Sequence, residues 1–199
     1  MKLENLGTVS HGITLSRVKP KSLDEAVRFK LFTMQDLSKE TGQYGLNVEE
    51  SYTDVSKNKF DMNLLSKENL IIIGLTSYKA IVIRKKHINK VIPSNFVTVE
   101  LDFNKVYPSY FTWYFNEHPE IKKQLQTAMQ GSIIKALSVQ MLRDLEIKLP
   151  SLKSQEIIGK TYELKSRKEK LLFKKNILEN ELYNQVIIDK LREEIRTCQ

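Results

Sequence analysis

Glu100-Leu101-Asp102, with Lys105 three residues further on, is the arrangement in this sequence that comes nearest to a catalytic one. Alternate residues of a strand share a face, so the two carboxylates would stand side by side, as the Mg²⁺ ligands of a nuclease do. Such triplets are common by chance. His11, His87 and His118 show no metal-ligand spacing with one another or with Cys198, the one cysteine. No Walker-type phosphate loop, G-x-G-x-x-G or G-x-S-x-G stretch is present. A methyltransferase would also need a glycine-rich cofactor loop on a parallel sheet, and none is visible. No cofactor is expected, and the chain reads as a protein that does no covalent chemistry itself.

Residues that could read DNA are easier to find. Lys and Arg neutralise phosphates, and polar side chains on loops or strands read base edges. Ser16 to Ser22 is a basic, Pro-punctuated loop carrying Arg17, Lys19 and Lys21. Gln43 and Tyr44 follow Thr41-Gly42, and Gln43 could take an adenine edge. Lys79 lies beside a predicted turn. Arg84-Lys85-Lys86-His87 is the densest basic cluster, and Gly131-Ser132 with Lys135 forms a predicted turn between two helices. Each has a bland rival: a cluster at a strand end is often a solubilising cap, and a Gly-Ser turn is often a helix connector.

The elements that must hold these residues divide the chain in two, at 1–150 and 151–199. The first part contains β-rich runs at 27–33, 69–75, 78–84 and 96–101, whose β-branched residues and flanking turn residues favour strands. Ile71-Ile72-Ile73 predicts a strand buried on both faces, and Thr76-Ser77 a hairpin turn. Pro108 and Pro119 open two helices, the second ending at Gly131. Ser138 reads as the N-cap of a short helix through Asp144. Leu145 to Leu149 alternates like a half-exposed strand and Pro150 closes it.

From Ser154 to about Thr197 there is no Pro and one Gly, Gly159, which predicts one long helix; the alternative is a hairpin broken near Asn176 or Asn184. Leu164, Leu171 and Leu178 are seven residues apart and Leu182 follows at four, a coiled-coil seam interrupted by Lys168, Lys175 and Gln185. A helix this long cannot bury its stripe against itself, so it needs the globular domain, a second copy or another protein. The fold class is therefore α+β: a β-rich globular domain with small helices, then one long coiled-coil-forming helix.

The formal charge of +8 and pI near 9.4 favour a polyanionic partner, above all nucleic acid. The excess is shared, with 21 Lys and Arg against 16 Asp and Glu in residues 1–151 and 11 against 8 thereafter. With no apolar run of membrane-spanning length and no secretory start, the expectation is a cytoplasmic protein that enters no membrane.

Gln130-Gly131-Ser132 through Ser138, then Leu142-Arg143-Asp144-Leu145 to Pro150-Ser151-Leu152 and Gln155, resembles the specificity subunit of type I restriction-modification systems. The specific likeness covers about 30 residues, in which a Gly-Ser turn, a short helix, a strand ending in Pro-x-Leu and a Gln-containing helix start follow in that family's order. A weaker pattern runs from Leu6-Gly7 and Gly12 through the strand pair around Gly74 to the aromatic stretch Pro108 to Tyr114. Two local departures stand out. Glu68-Asn69 replaces a common Gly-Asp pair, and a glycine common after the central strand is missing near Ser77-Tyr78. The larger departure is length, since full subunits hold two recognition domains and two long helices. The resemblance implies a half-length, non-enzymatic subunit with a target-recognition domain and a helix that pairs with a second copy. The partners it implies are double-stranded DNA, the methyltransferase (modification) subunits and the restriction subunit. A shortened adaptor that binds partner subunits without reading DNA is the alternative.

Overall fold

The computed structural model describes residues 1–130 and 136–197. They form two compact units, Met1–Glu163 and Leu164–Gln199.

The first unit is built on two sheets. The larger has the order β1-β7-β4-β5, with β1 Gly7–His11, β4 Ile71–Gly74, β5 Ala80–Val82 and β7 Phe96–Leu101, all neighbours antiparallel. The smaller has the order β3-β2-β6, where β2 is Ala26–Leu31, β3 Ser51–Ser56 and β6 Lys90–Val91. β2 runs antiparallel to β3 and parallel to β6.

The isoleucine triplet explains the layering. Ile71 and Ile73 belong to one core, beneath helices α3 Pro108–Glu117, α4 Pro119–Ala128 and α5 Val139–Arg143. Ile72 belongs to a second core with Phe32, Leu37, Ile83, Ile92 and Phe96. All three are fully buried, because successive strand residues point to opposite faces and both faces of this sheet are covered. Helix α2, Met34–Glu40, supplies Leu37 to the second core. A third, smaller core of Val18, Val55, Phe60 and Val91 lies against the three-stranded sheet, with Val18 delivered by the one-turn helix α1, Leu15–Val18.

Helix α3 earns its place through aromatics. Tyr110, Phe111, Tyr114 and Phe115 are all buried in the first core. Asn116 on the same helix closes the sheet edge: its side chain accepts from the Ala80 N–H at 2.9 Å and donates to the Ala80 carbonyl at 2.8 Å. An amide here does what another strand would do, so β5 presents no unpaired edge at that residue.

The alternation of residues 145–149 is present as burial, with Leu145 and Ile147 inside and Glu146 and Lys148 outside, but not as a named strand. This segment is extended and pairs with the N-terminus through Leu3 N–H to the Leu145 carbonyl and Ile147 N–H to the Met1 carbonyl. One bridge, Lys2 to Glu146, is too short a ladder to make a strand. Ser138 caps α5 as expected, accepting from the Met141 N–H at 3.1 Å. Helix α6 runs unbroken from Leu152 to Thr197, which excludes the hairpin. No helix of the described residues is long and apolar enough to cross a membrane.

Candidate nucleic-acid interface

The basic residues fall in separate places. Arg17, Lys19 and Lys21 occupy α1 and the loop after it, all exposed. Lys19 is extended, as a residue before Pro must be. The loop then makes a tight 3₁₀ turn, Leu23–Glu25, before entering β2. Because β2 and β3 are antiparallel with Ala26 opposite Ser56, the turn after β3 arrives at the same end of the sheet. The Lys57 N–H donates to the Glu25 carbonyl at 3.0 Å and fixes the two turns together. Lys57 and Lys59, both exposed, thus join Arg17, Lys19 and Lys21. None of the five is ion-paired with a described residue.

The sequence reading missed Lys57 and Lys59 because it missed β3. Tyr52, Thr53 and Val55 are strand-favouring residues that could have shown it. Arg28, Lys30 and Tyr52 on the exposed face of β2 and β3 were missed with it. They are already engaged: Arg28 sits 4.8 Å from the Tyr52 ring centroid, and Lys30 and Tyr52 both bond Glu50.

Gln43 and Tyr44 lie in the loop between α2 and β3, beyond the opposite end of the ribbon from Arg17 and Lys57. A six-residue strand separates its ends by about 17 Å, so these residues do not form one cluster. Gln43 is exposed and Tyr44 half-buried. Lys86 belongs to this second neighbourhood, because it pairs with Glu40 of α2 at 3.2 Å; Lys85 precedes it, exposed. Beneath them is a buried charged group. Lys90 donates to Asp36 at 3.0 Å, and His87 Nε2 lies 3.2 Å from Glu40. Burial pushes the Asp36 carboxyl up, but the Thr33 N–H and the Lys90 ammonium outweigh it and hold the group below its ordinary range.

Lys79 is half-buried beside the β4–β5 turn. Tyr78 there has φ 54°, and Asn69, before β4, has φ 65°. Both departures from the family pattern therefore fall on left-handed backbone, which glycine adopts without strain and asparagine tolerates. Gly131, Ser132 and Lys135 lie outside the described residues.

Arg84 is exposed and already paired within the fold. Its guanidinium donates to Asn69 Oδ1 at 2.8 Å, to Ser109 Oγ at 3.0 Å and to Glu163 on α6. It belongs to a set of contacts that seats the start of α6 on the globular fold. Gln155, 1% exposed, accepts from the Tyr107 N–H at 3.0 Å and donates to the Lys105 and Pro150 carbonyls at 3.1 and 2.9 Å. Gly159 lets α6 close on α3: a Cβ there would meet Tyr107 Cδ1 and the Tyr110 nitrogen, each at 2.8 Å. Asn116 adds a bond to the Tyr162 hydroxyl at 3.2 Å.

Within the second unit the seam leucines are uncovered. Leu164, Leu171, Leu178 and Leu182 are 64%, 57%, 53% and 60% exposed. The carboxylates of the nuclease-like triplet are paired elsewhere, Glu100 with Lys67 at 2.6 Å and Asp102 with Lys105 at 3.2 Å. Among the described residues no group of three or more His, Cys, Asp and Glu is placed to hold a metal ion.

No family model and no curated protein matches this sequence. Solved structures do. One, from work on complex assembly and conformational transition of the type I R-M system, matches with TM-score 0.62 at 12% identity, over 91% of this chain and 45% of that one. The HsdS subunit of Thermoanaerobacter tengcongensis matches with TM-score 0.58 at 13% identity, over 86% of this chain and 43% of that one. The type I restriction-modification S subunit of M. genitalium matches with TM-score 0.52 at 14% identity, over 90% and 41%. The chain thus has the α+β fold of type I S subunits, and the resemblance read in its sequence holds at the level of fold. It spans less than half the length of these structures, with one globular domain and one long helix.

Proposed function

We propose that this protein is a DNA-sequence-specificity subunit of a type I restriction-modification system, reading double-stranded DNA with residues 1–150 and scaffolding methyltransferase subunits through residues 151–199. The observation that carries the reading is the S-subunit fold across 86–91% of the chain. Five cations at one end of the three-stranded sheet have no ion-pair partner among the described residues, and this supports DNA binding, since such cations are available to phosphates. Gln43, Tyr44, Lys79, Lys85 and Lys86 extend the proposed DNA-facing set, while Arg84 holds the helix start. The exposed leucines support a homodimer, which would present two recognition domains to a symmetric, split target. The restriction subunit joins the same assembly.

Gel-shift titration with degenerate duplexes, alone and with the methyltransferase subunits, tests this. The expected result is binding whose affinity falls steeply with salt. Binding to the methyltransferase subunits with no DNA affinity in either state would instead establish the shortened adaptor.

A further inference from the structure

Leu23 is 92% exposed, the most exposed of the large apolar side chains among the described residues, at the tip of the basic loop. The tip is a defined turn: the Ala26 N–H donates to the Leu23 carbonyl, and the next turn is tied on through Lys57 N–H to Glu25. An exposed leucine alone is unremarkable on a protein surface. Its surroundings are what give it meaning. Arg17, Lys19 and Lys21 precede it, Lys57 and Lys59 come from the adjoining turn, and all five are exposed and lack a described ion-pair partner. Within residues 15–25 the sequence has three cations, Arg17, Lys19 and Lys21, against two carboxylates, Asp24 and Glu25, so the loop is net positive.

Two physical facts choose the occupant. A solvated leucine gains nothing from ions or from phosphate, yet it gains from desolvation against a base. A single tight turn is also much narrower than a helix or a β-ribbon, so it suits the minor groove, about 6 Å wide, and not the broad major groove. Apolar side chains in the minor groove act as wedges at base steps, and cations on either side hold the phosphates that line the groove.

We propose that Leu23 is an apolar wedge, inserted from the minor groove against a base step of bound DNA while the cations of the two joined turns grip the flanking phosphates. This rests on the DNA-binding function proposed above. Leu23 touches no core, so its replacement by alanine leaves the fold intact.

The full chain, with and without methyltransferase subunits, is titrated against duplexes selected from a library with a randomised centre, and then against the recovered duplex carrying 2-aminopurine at successive positions. Leu23→Ala is expected to weaken binding about tenfold or more at every salt concentration, with an unchanged slope of log K against log salt, because no phosphate contact is lost. The wild type should raise 2-aminopurine fluorescence at one step, and Leu23→Ala should abolish the rise. The double variant Lys19→Gln/Lys21→Gln should shallow the slope by about 0.9 per contact removed and keep the fluorescent step. Wild-type affinity in Leu23→Ala, or binding with no unstacked step in the wild type, overturns the wedge and leaves DNA reading standing. A wild type that binds no duplex in either state overturns both.

Discussion

Gln155 shows how one side chain can join two parts of a fold. Its amide satisfies one backbone N–H and two carbonyls from the segments around Lys105 and Pro150, in a place closed to water. Replacing it with leucine keeps volume and leaves those groups unpaired, so Gln155→Leu should cost about 2–4 kcal/mol in urea unfolding. Gly159→Ala tests the same joint from the packing side. The new methyl meets a backbone nitrogen of α3, which cannot swing away, and about 1–3 kcal/mol of destabilisation is expected. Asp36 is a residue-scale case of a different kind. Its folded carboxyl titrates below the value near 3.9 of an unfolded chain. The stabilisation is therefore fully present above about pH 4 and is lost as pH falls through the lower folded value. Asp36→Asn should remove about 3 kcal/mol at neutral pH by stranding the Lys90 ammonium, and should flatten the acid limb of stability measured by denaturation across that range.

At the scale of elements, the parts that bury an apolar face on a regular period were legible. Ile71-Ile72-Ile73, the aromatic helix after Pro108 and the long helix were all readable because their periodicity or helix-opening prolines need no knowledge of neighbours. Helix α2 was not read, although Thr33 and Asp36 form a capping box that the sequence displays. β1 and β3 escaped because their polar alternation looks like loop until a partner strand supplies the ladder; β3 has β2, and β1 has β7. The seam in α6 was legible, and its consequence belongs to this scale. Leu171→Lys and Leu178→Lys put charges at positions that are more than half exposed, so helicity by circular dichroism should persist. Self-association should weaken by roughly 1.5–3 kcal/mol for each leucine, seen as a rise of the dimer dissociation constant in sedimentation. Loss of helicity without loss of association would place the contact elsewhere.

At the scale of the whole molecule, the candidate site was the least legible part, and for a definite reason. Which cations are free depends on pairings between segments far apart in sequence: Arg84 finds Glu163, and Lys86 finds Glu40, whereas Lys57 reaches the Arg17 loop only through the register of β2 with β3. Local charge density is highest at Arg84-Lys85-Lys86, the cluster whose members the fold partly neutralises, while the cations of the sparser loop have no ion-pair partner among the described residues. The long helix raises the corresponding question of assembly. Long helices in water take most of their stability from burying an apolar face, and Leu164, Leu171, Leu178 and Leu182 are more than half exposed in the single chain. A second copy is the simplest cover, because closed twofold pairing satisfies the same stripe on both chains at once. Light scattering at micromolar concentration should therefore give twice the chain mass of 23.2 kDa. A monomeric mass, unchanged on adding methyltransferase subunits, would leave the stripe uncovered and contradict the proposed assembly. DNA binding supplies an independent check at this scale. A dimer carries two copies of every phosphate contact, so its slope of log K against log salt should be about double that of the Leu171→Lys/Leu178→Lys monomer. Equal slopes would mean that one recognition domain engages DNA at a time, whatever the mass in solution.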